Sequence, residues 1–351
     1  IRDRIETGIL KADNGDWKLT QALDLDAVPQ TIQGVLTARL DRLEKETKRI
    51  LQEASVIGRA FFYEVLNRVT ELTSKVDECL FGLESLDLIR SRTREQDLEY
   101  FFKHALTQEV VYNGLLKKER IDIHERIGSV MEQLFENRLP EFYETLAYHF
   151  ARGKSTLKAV DYLVKSGEKC LKRFAVEESH QYFEHAYDIM SNKADKTEDE
   201  LNILFDLIIR WALVYYYRGD FNGIIHLCTN NERLANSLIS KKNLGMFIAW
   251  FGFAKINYAD PKGSYEYLLK ALKIGEEIND GQVIGYACCW LSWTCGALGL
   301  YKEGIAYGER ALKKSAMFES DHYLYFKTLG GIANTCYLMG DTKRPIQSGN
   351  E

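Results

Sequence analysis

Apolar side chains return every three to four residues along most of this chain, the spacing of helices that bury one face. Ile32, Val35, Leu36, Leu40 and Leu43 share one such face, with Arg39, Asp41 and Arg42 off it. Ile50, Leu51, Ala54 and Ile57 form a second stripe, which Gly58 is placed to end. Residues 61–69 and 76–86 read as a third and a fourth helix. The period then changes. Leu88-Ile89-Arg90-Ser91-Arg92 and Leu98-Glu99-Tyr100-Phe101-Phe102 flank a polar loop at 93–97, the pattern of a two-stranded hairpin. Residues 107–116 and 121–136 are helical again, the latter with Ile123, Ile127, Val130, Met131 and Leu134 as its stripe. A second hairpin is expected at the start, where Asn14-Gly15 sits between short alternating runs ahead of Pro29.

Three helices followed by a hairpin is the element order of a winged-helix domain. From about Leu139 the chain repeats instead. Gly219-Asp220-Phe221, Ala259-Asp260-Pro261 and Gly299-Leu300-Tyr301 fall 40 residues apart, and Gly340-Asp341 follows 41 later. Ala271 and Ala311 keep the same register, and Ala186 plays their part upstream. Stacked helical hairpins follow, because no unit of this size buries its apolar face alone. The expected fold is mainly α, a winged-helix domain with a small β-hairpin over 29–137 and a TPR-like α-helical solenoid over 138–351.

Composition narrows the function. Of 351 residues 46% are hydrophobic and four are proline, so the chain is globular and long stretches lack helix breakers. A net charge of −5 argues against a phosphate backbone as the main partner. The seven cysteines form no C-x-x-C pair and lie among apolar neighbours, as buried reduced thiols of a cytoplasmic protein do. No apolar run suits a membrane span, and no signal peptide opens the chain. It begins at Ile1 and stops inside what reads as an unfinished repeat, so a fragment of a longer protein is expected.

Several motifs then occur in a fixed order: Val28-Pro29-Gln30-Thr31-Ile32, Ala38-Arg39-Leu40-Asp41-Arg42-Leu43, Leu51-Gln52-Glu53-Ala54-Ser55-Val56-Ile57-Gly58-Arg59-Ala60-Phe61, and Phe102-Lys103-His104-Ala105-Leu106-Thr107-Gln108-Glu109-Val110-Val111-Tyr112. This series resembles the segment behind the ATPase core of bacterial STAND-type signalling ATPases (signal-transduction ATPases with numerous domains), especially those fused to a class III adenylate or guanylate cyclase. The likeness covers roughly residues 1–190. It implies that residues 1–28 are the tail of the ATPase-associated helical region, that the winged helix closes over bound nucleotide, and that the repeats receive a signal or a protein partner. ATP or ADP with Mg would bind in the complete protein, against its own N-terminal ATPase domain, and not in this fragment.

Candidate chemistry is sparse. Gly153-Lys154-Ser155 is not a phosphate loop, because Tyr148 stands where the motif needs its first glycine. On residue pattern alone His104 is a core or capping histidine between Phe102 and Leu106. The resemblance implies instead that it senses the phosphates of bound ADP, assisted by Lys103. DNA binding is not expected, since residues 75–87, the helix that would enter a groove, carry Lys75 against Asp77, Glu78, Glu84 and Asp87. Arg90, Arg92 and Arg94 in the hairpin are offset by Glu95, Asp97 and Glu99. His180 and His185, five apart, make no metal pair. His124, four after Arg120, matches a family position yet reads as lying on an exposed helical face, and His149 as a repeat-packing residue. No catalytic constellation and no metal site is expected. Among the repeat aromatics, Tyr215-Tyr216-Tyr217 cannot all point inward. Tyr216, Trp250 and Trp293 are therefore candidates to line a partner-binding groove. The reading is a regulatory, partner-binding fragment and not an enzyme by itself. Alternatives are the sensor of an ATP-dependent transcription regulator and a plain TPR scaffold.

Overall fold

The structure, a computed structural model, describes residues 10–13, 16–19, 32–94, 97–315 and 321–341. Sixteen α-helices and five short strands are found among them. The chain divides into two compact units between Tyr162 and Leu163.

In the first unit β1 (Leu10–Asp13) and β2 (Asp16–Leu19) pair antiparallel, as the expected first hairpin requires, while its turn at Asn14-Gly15 and Pro29 lie outside the described residues. Then come α1 (Ile32–Leu40), α2 (Lys45–Ile57), β3 (Ala60–Phe62), α3 (Tyr63–Val69), α4 (Val76–Ser85), β4 (Ile89–Arg94) and β5 (Asp97–Phe102). The strands form one antiparallel sheet in the order β3-β5-β4, with Phe61 opposite Tyr100 and Ile89 opposite Phe102. The helix expected over 61–69 thus gives up its first two residues to a third strand. Phe61 is buried there, stacked on Tyr100 and tilted against Phe102. Ile50, Leu51, Ala54, Leu66, Leu80, Leu83 and Val111 complete that core. Helices α5 (Ala105–Asn113), α6 (Lys117–Leu134) and α7 (Leu139–Phe150) follow, and α8 (Thr156–Lys172) contains the division between the units. Helices α6 and α7 approach closely because Gly128 has no Cβ, which would stand 2.8 Å from the Phe150 ring.

The second unit is a TPR-like run of helical hairpins: α9 (Val176–Ser191), α10 (Glu198–Arg218), α11 (Phe221–Ala235), α12 (Lys241–Asn257), α13 (Pro261–Glu277), α14 (Gly281–Leu298), α15 (Tyr301–Ser315) and α16 (His322–Met339). The 40-residue register is a register of corners. Gly219, Ala259, Gly299 and Gly340 all take left-handed backbone, with φ of 71°, 58°, 78° and 85°. Such a residue ends each first helix by turning its last carbonyls onto the N–H groups that follow. Asp220 and Asp260 then cap the second helix, accepting from the N–H groups of Gly223 and Gly263 at 2.8 and 2.9 Å. Ala186, Ala271 and Ala311 are fully buried, as their shared register predicts. The first helices of successive hairpins, α10, α12, α14 and α16, also pack on one another in turn. All seven cysteines are buried thiols outside any disulfide, and burial pushes those of Cys288, Cys289 and Cys295 up to about 12, far from reactive thiolate.

Candidate functional site

The junction of β5 and α5 places Lys103 and His104. His104 is the N-cap residue of α5 in extended backbone, φ −125° and ψ 131°, yet its side chain makes no capping bond. The imidazole is exposed, so it is neither the core nor the capping histidine that the residue pattern suggests. Lys103 is half-buried and committed: its ammonium donates to Oδ2 of Asp87, whose other oxygen takes Arg90 at 2.5 Å. Asp87 itself turns the chain from α4 into β4 with φ 59°, a conformation that Asp tolerates better than most residues. Arg92 pairs with buried Glu99 at 2.5 Å, so two of the hairpin arginines are already held by carboxylates.

The Gly153-Lys154-Ser155 turn at the start of α8 holds a carboxylate of its own. Glu125 accepts from the N–H of Lys154 at 2.6 Å, from the N–H of Ser155 at 3.0 Å and from the Ser155 hydroxyl. Burial works to raise the Glu125 pKa, and these hydrogen bonds together outweigh it and leave it lowered. The ammonium of Lys154 is taken by Asp122 at 2.5 Å.

One arrangement escaped the sequence. His124 is not on an exposed face; it is 1% exposed, and His149 is fully buried against it. Their Nδ1 atoms lie 2.9 Å apart, and Nε2 of His124 lies 3.1 Å from the Tyr112 hydroxyl. The far Nε2 of His149 points toward the Ile57 carbonyl without forming a close hydrogen bond. One neutral arrangement uses every contact: the Tyr112 hydroxyl donates to His124, and His124 donates to His149. Burial first, then Arg152 and Arg120, lower His124 to about 4. Burial, His124 and Arg152 lower His149 to about 3. Arg120 and Arg152 lie over the rings of Tyr112 and Tyr148, at 5.0 and 3.9 Å.

In the second unit, the three groove candidates converge but are not equivalent. Trp250 is 2% exposed, ringed by Phe253, Tyr286, Trp290 and Tyr323, and so is a core residue that no groove exposes. Tyr216 and Trp293 are half-buried and share a third group that pattern reading passed over. The Lys327 ammonium lies 4.6 Å from the centroid of a Trp293 ring, 5.2 Å from Tyr216 and 5.7 Å from Phe253. The Trp293 indole donates to the Lys327 carbonyl at 2.9 Å and so fixes this face of α16. Tyr323, one turn earlier, meets Tyr216 of α10 at 4.9 Å, Trp250 of α12 at 6.3 Å and Tyr286 of α14 at 6.0 Å. Helix α16 therefore touches a ring from the first helix of each of the three preceding hairpins.

Among the described residues no group of three His, Cys, Asp or Glu side chains is placed to hold a metal ion, and no helix is long and apolar enough to cross a membrane. No protein-family model matches the chain. Over 183 residues it is 32% identical to an uncharacterised protein of Rhizobium meliloti (strain 1021), a match covering 49% of this chain and 17% of that protein. Among solved structures, aspartyl phosphate phosphatase F from Bacillus subtilis aligns with a TM-score of 0.46 at 13% identity, over 90% of this chain and 76% of that one. A signal-transduction ATPase with numerous domains and a tetratricopeptide-repeat sensor from Pyrococcus horikoshii aligns with a TM-score of 0.41 at 14% identity, over 92% of this chain and 52% of that one.

Proposed function

We propose that this chain is the regulatory and partner-binding region of a cytoplasmic signal-transduction ATPase, with residues 29–137 as a winged helix that gates a nucleotide switch and the repeats from 138 onward as the receiver of a protein or peptide. The observation that carries the partner-binding half is the meeting of α10, α14 and α16, where half-buried aromatic rings surround a lysine. Half-exposed aromatic surface of this kind supplies large contact area at low entropic cost, which is what recognition faces use.

The switch half rests on the motif series that resembles STAND ATPases, and the geometry around His104 is compatible with it. An exposed imidazole at the N-terminus of α5 has its nitrogens free to meet a phosphate oxygen. Lys103, held by Asp87, would stiffen the junction before it reached a nucleotide. In this reading ATP or ADP with Mg binds the complete protein's ATPase domain, and an attached nucleotide cyclase is the output. Nucleotide retained through purification tests it, compared between the complete protein, this chain alone and the complete protein carrying His104→Ala. ADP kept by the complete protein, lost by the variant and absent from this chain is the expected result. Equal retention by the complete protein and its variant removes His104 from the switch.

A further inference from the structure

Among the described residues Lys327 is a cation without a counter-ion. Its side chain is half-buried, its ammonium sits among three aromatic rings, and among the described residues no carboxylate reaches it. Burial pushes its pKa down, and among the described residues the Cys289 thiol works weakly against that. Ring faces offset only part of an ammonium's lost hydration. Asp321, which opens the same helix, is engaged elsewhere, by the N–H of Leu324 at 3.0 Å and the hydroxyl of Tyr286 at 2.9 Å. Beside it the Trp290 indole N–H faces the Tyr323 hydroxyl oxygen, and the Tyr323 O–H is left buried without a formed hydrogen bond. Trp290 lies 5.0 Å from Phe253 and Tyr323 lies 4.9 Å from Tyr216, so both adjoin rings that surround Lys327. Among the described residues the Lys327 ammonium and the Tyr323 O–H are therefore donors without an acceptor.

We infer that Lys327, walled by Tyr216 and Trp293, is the seat of one carboxylate of an acidic peptide, with the rings stacking on the apolar residue beside it. This deepens the partner-binding reading above and rests on it. A single ammonium with apolar walls matches a singly charged group. A phosphate carries nearly two charges and is met by several cations or an arginine fork, and no second cation lies over these rings among the described residues.

The test uses the whole chain and two labelled, C-terminally amidated decapeptide pools. In one, Asp and Glu alternate with aliphatic and aromatic residues; in the other, Asn and Gln replace the acids. Fluorescence polarisation is read for the unsubstituted chain, Lys327→Met and Lys327→Arg, with thermal melts to show that both variants fold. The acidic pool is expected to bind, Lys327→Met to weaken it by about tenfold or more as a lost charged hydrogen bond does, and Lys327→Arg to keep most of it. Acetate should compete better than inorganic phosphate at equal ionic strength. Equal binding by the chain and Lys327→Met, equal binding of the two pools, or stronger competition by phosphate overturns the carboxylate seat and leaves a peptide-binding face. Failure of both pools to bind overturns the seat and the peptide-binding reading together.

Discussion

The buried His124–His149 pair makes the fold sensitive to mild acid. In the unfolded chain each imidazole titrates near the ordinary histidine value of about 6.5. In the folded chain burial holds both below it, at about 4 and about 3. The neutral pair's contribution is therefore complete above about pH 6.5 and drains away as pH falls toward the folded values, because the unfolded state binds the protons first. From pH 7 to about 5 each group removes about 2 kcal/mol, so the pair removes about 4, a large part of the ~5–15 kcal/mol that holds a domain together. Carboxylates such as Glu125, whose folded pKa is lowered, release their share only at lower pH. His149→Asn isolates the effect, since an amide can stand near the Nδ1 position and meet His124 without titrating. The variant should cost about 1–2 kcal/mol at pH 7 through the smaller side chain, yet lose only about half as much stability on acidification. Hydrogen exchange read on peptides from α6 and α7 localises the opening to this site. Parallel pH dependence in the two proteins would falsify the assignment.

Other outcomes follow from backbone and packing. Ala259→Gly should stabilise by about 0.5–1 kcal/mol in urea melts, because Ala259 pays the left-handed cost at φ 58° that glycine avoids. Gly299→Ala should cost a similar amount, and open space where its Cβ would go leaves the backbone as the sole cause; a neutral result for both would detach stability from these corners. Gly308→Ala should cost about 1–3 kcal/mol, since its Cβ would stand 2.3 Å from Ile332, and an unchanged melting midpoint would show that α16 gives way. Asp87→Asn keeps a residue suited to φ 59° while weakening the hold on Lys103 and Arg90, so a loss of about 1–2 kcal/mol is expected in the same melts.

The helices were legible because most carry a stripe, and the repeats because each corner demands glycine or a residue able to imitate it. Strand β3 was not, since three residues are too few to display a period, and Phe61 could serve either a helix or a strand. His124 was misplaced for a related reason. It shares the buried face of α6 with Ile123, Ile127 and Met131, but a histidine counts as polar until its partner 25 residues on is known. Trp250 lies in α12, where Phe247, Ala249, Phe251 and Phe253 are buried too, so the pattern picks no single inward face. Lys327 was invisible for the opposite cause: a lone lysine in a helix reads as solvated, and the rings around it come from α10, α12 and α14.

Tyr323 gives the repeats a property that a simple stack lacks. In a stack whose members hold only their neighbours, tension applied at the two ends strips one member after another at similar force. Here the Tyr323 ring grips α10 as well as α12 and α14, so helices three hairpins apart are clasped directly. Stretching should meet that clasp before the hairpins it spans yield, giving one high-force rupture and then a series of smaller extensions. Tyr323→Ala would erase the first event and leave the series, turning a latched spring into an ordinary one.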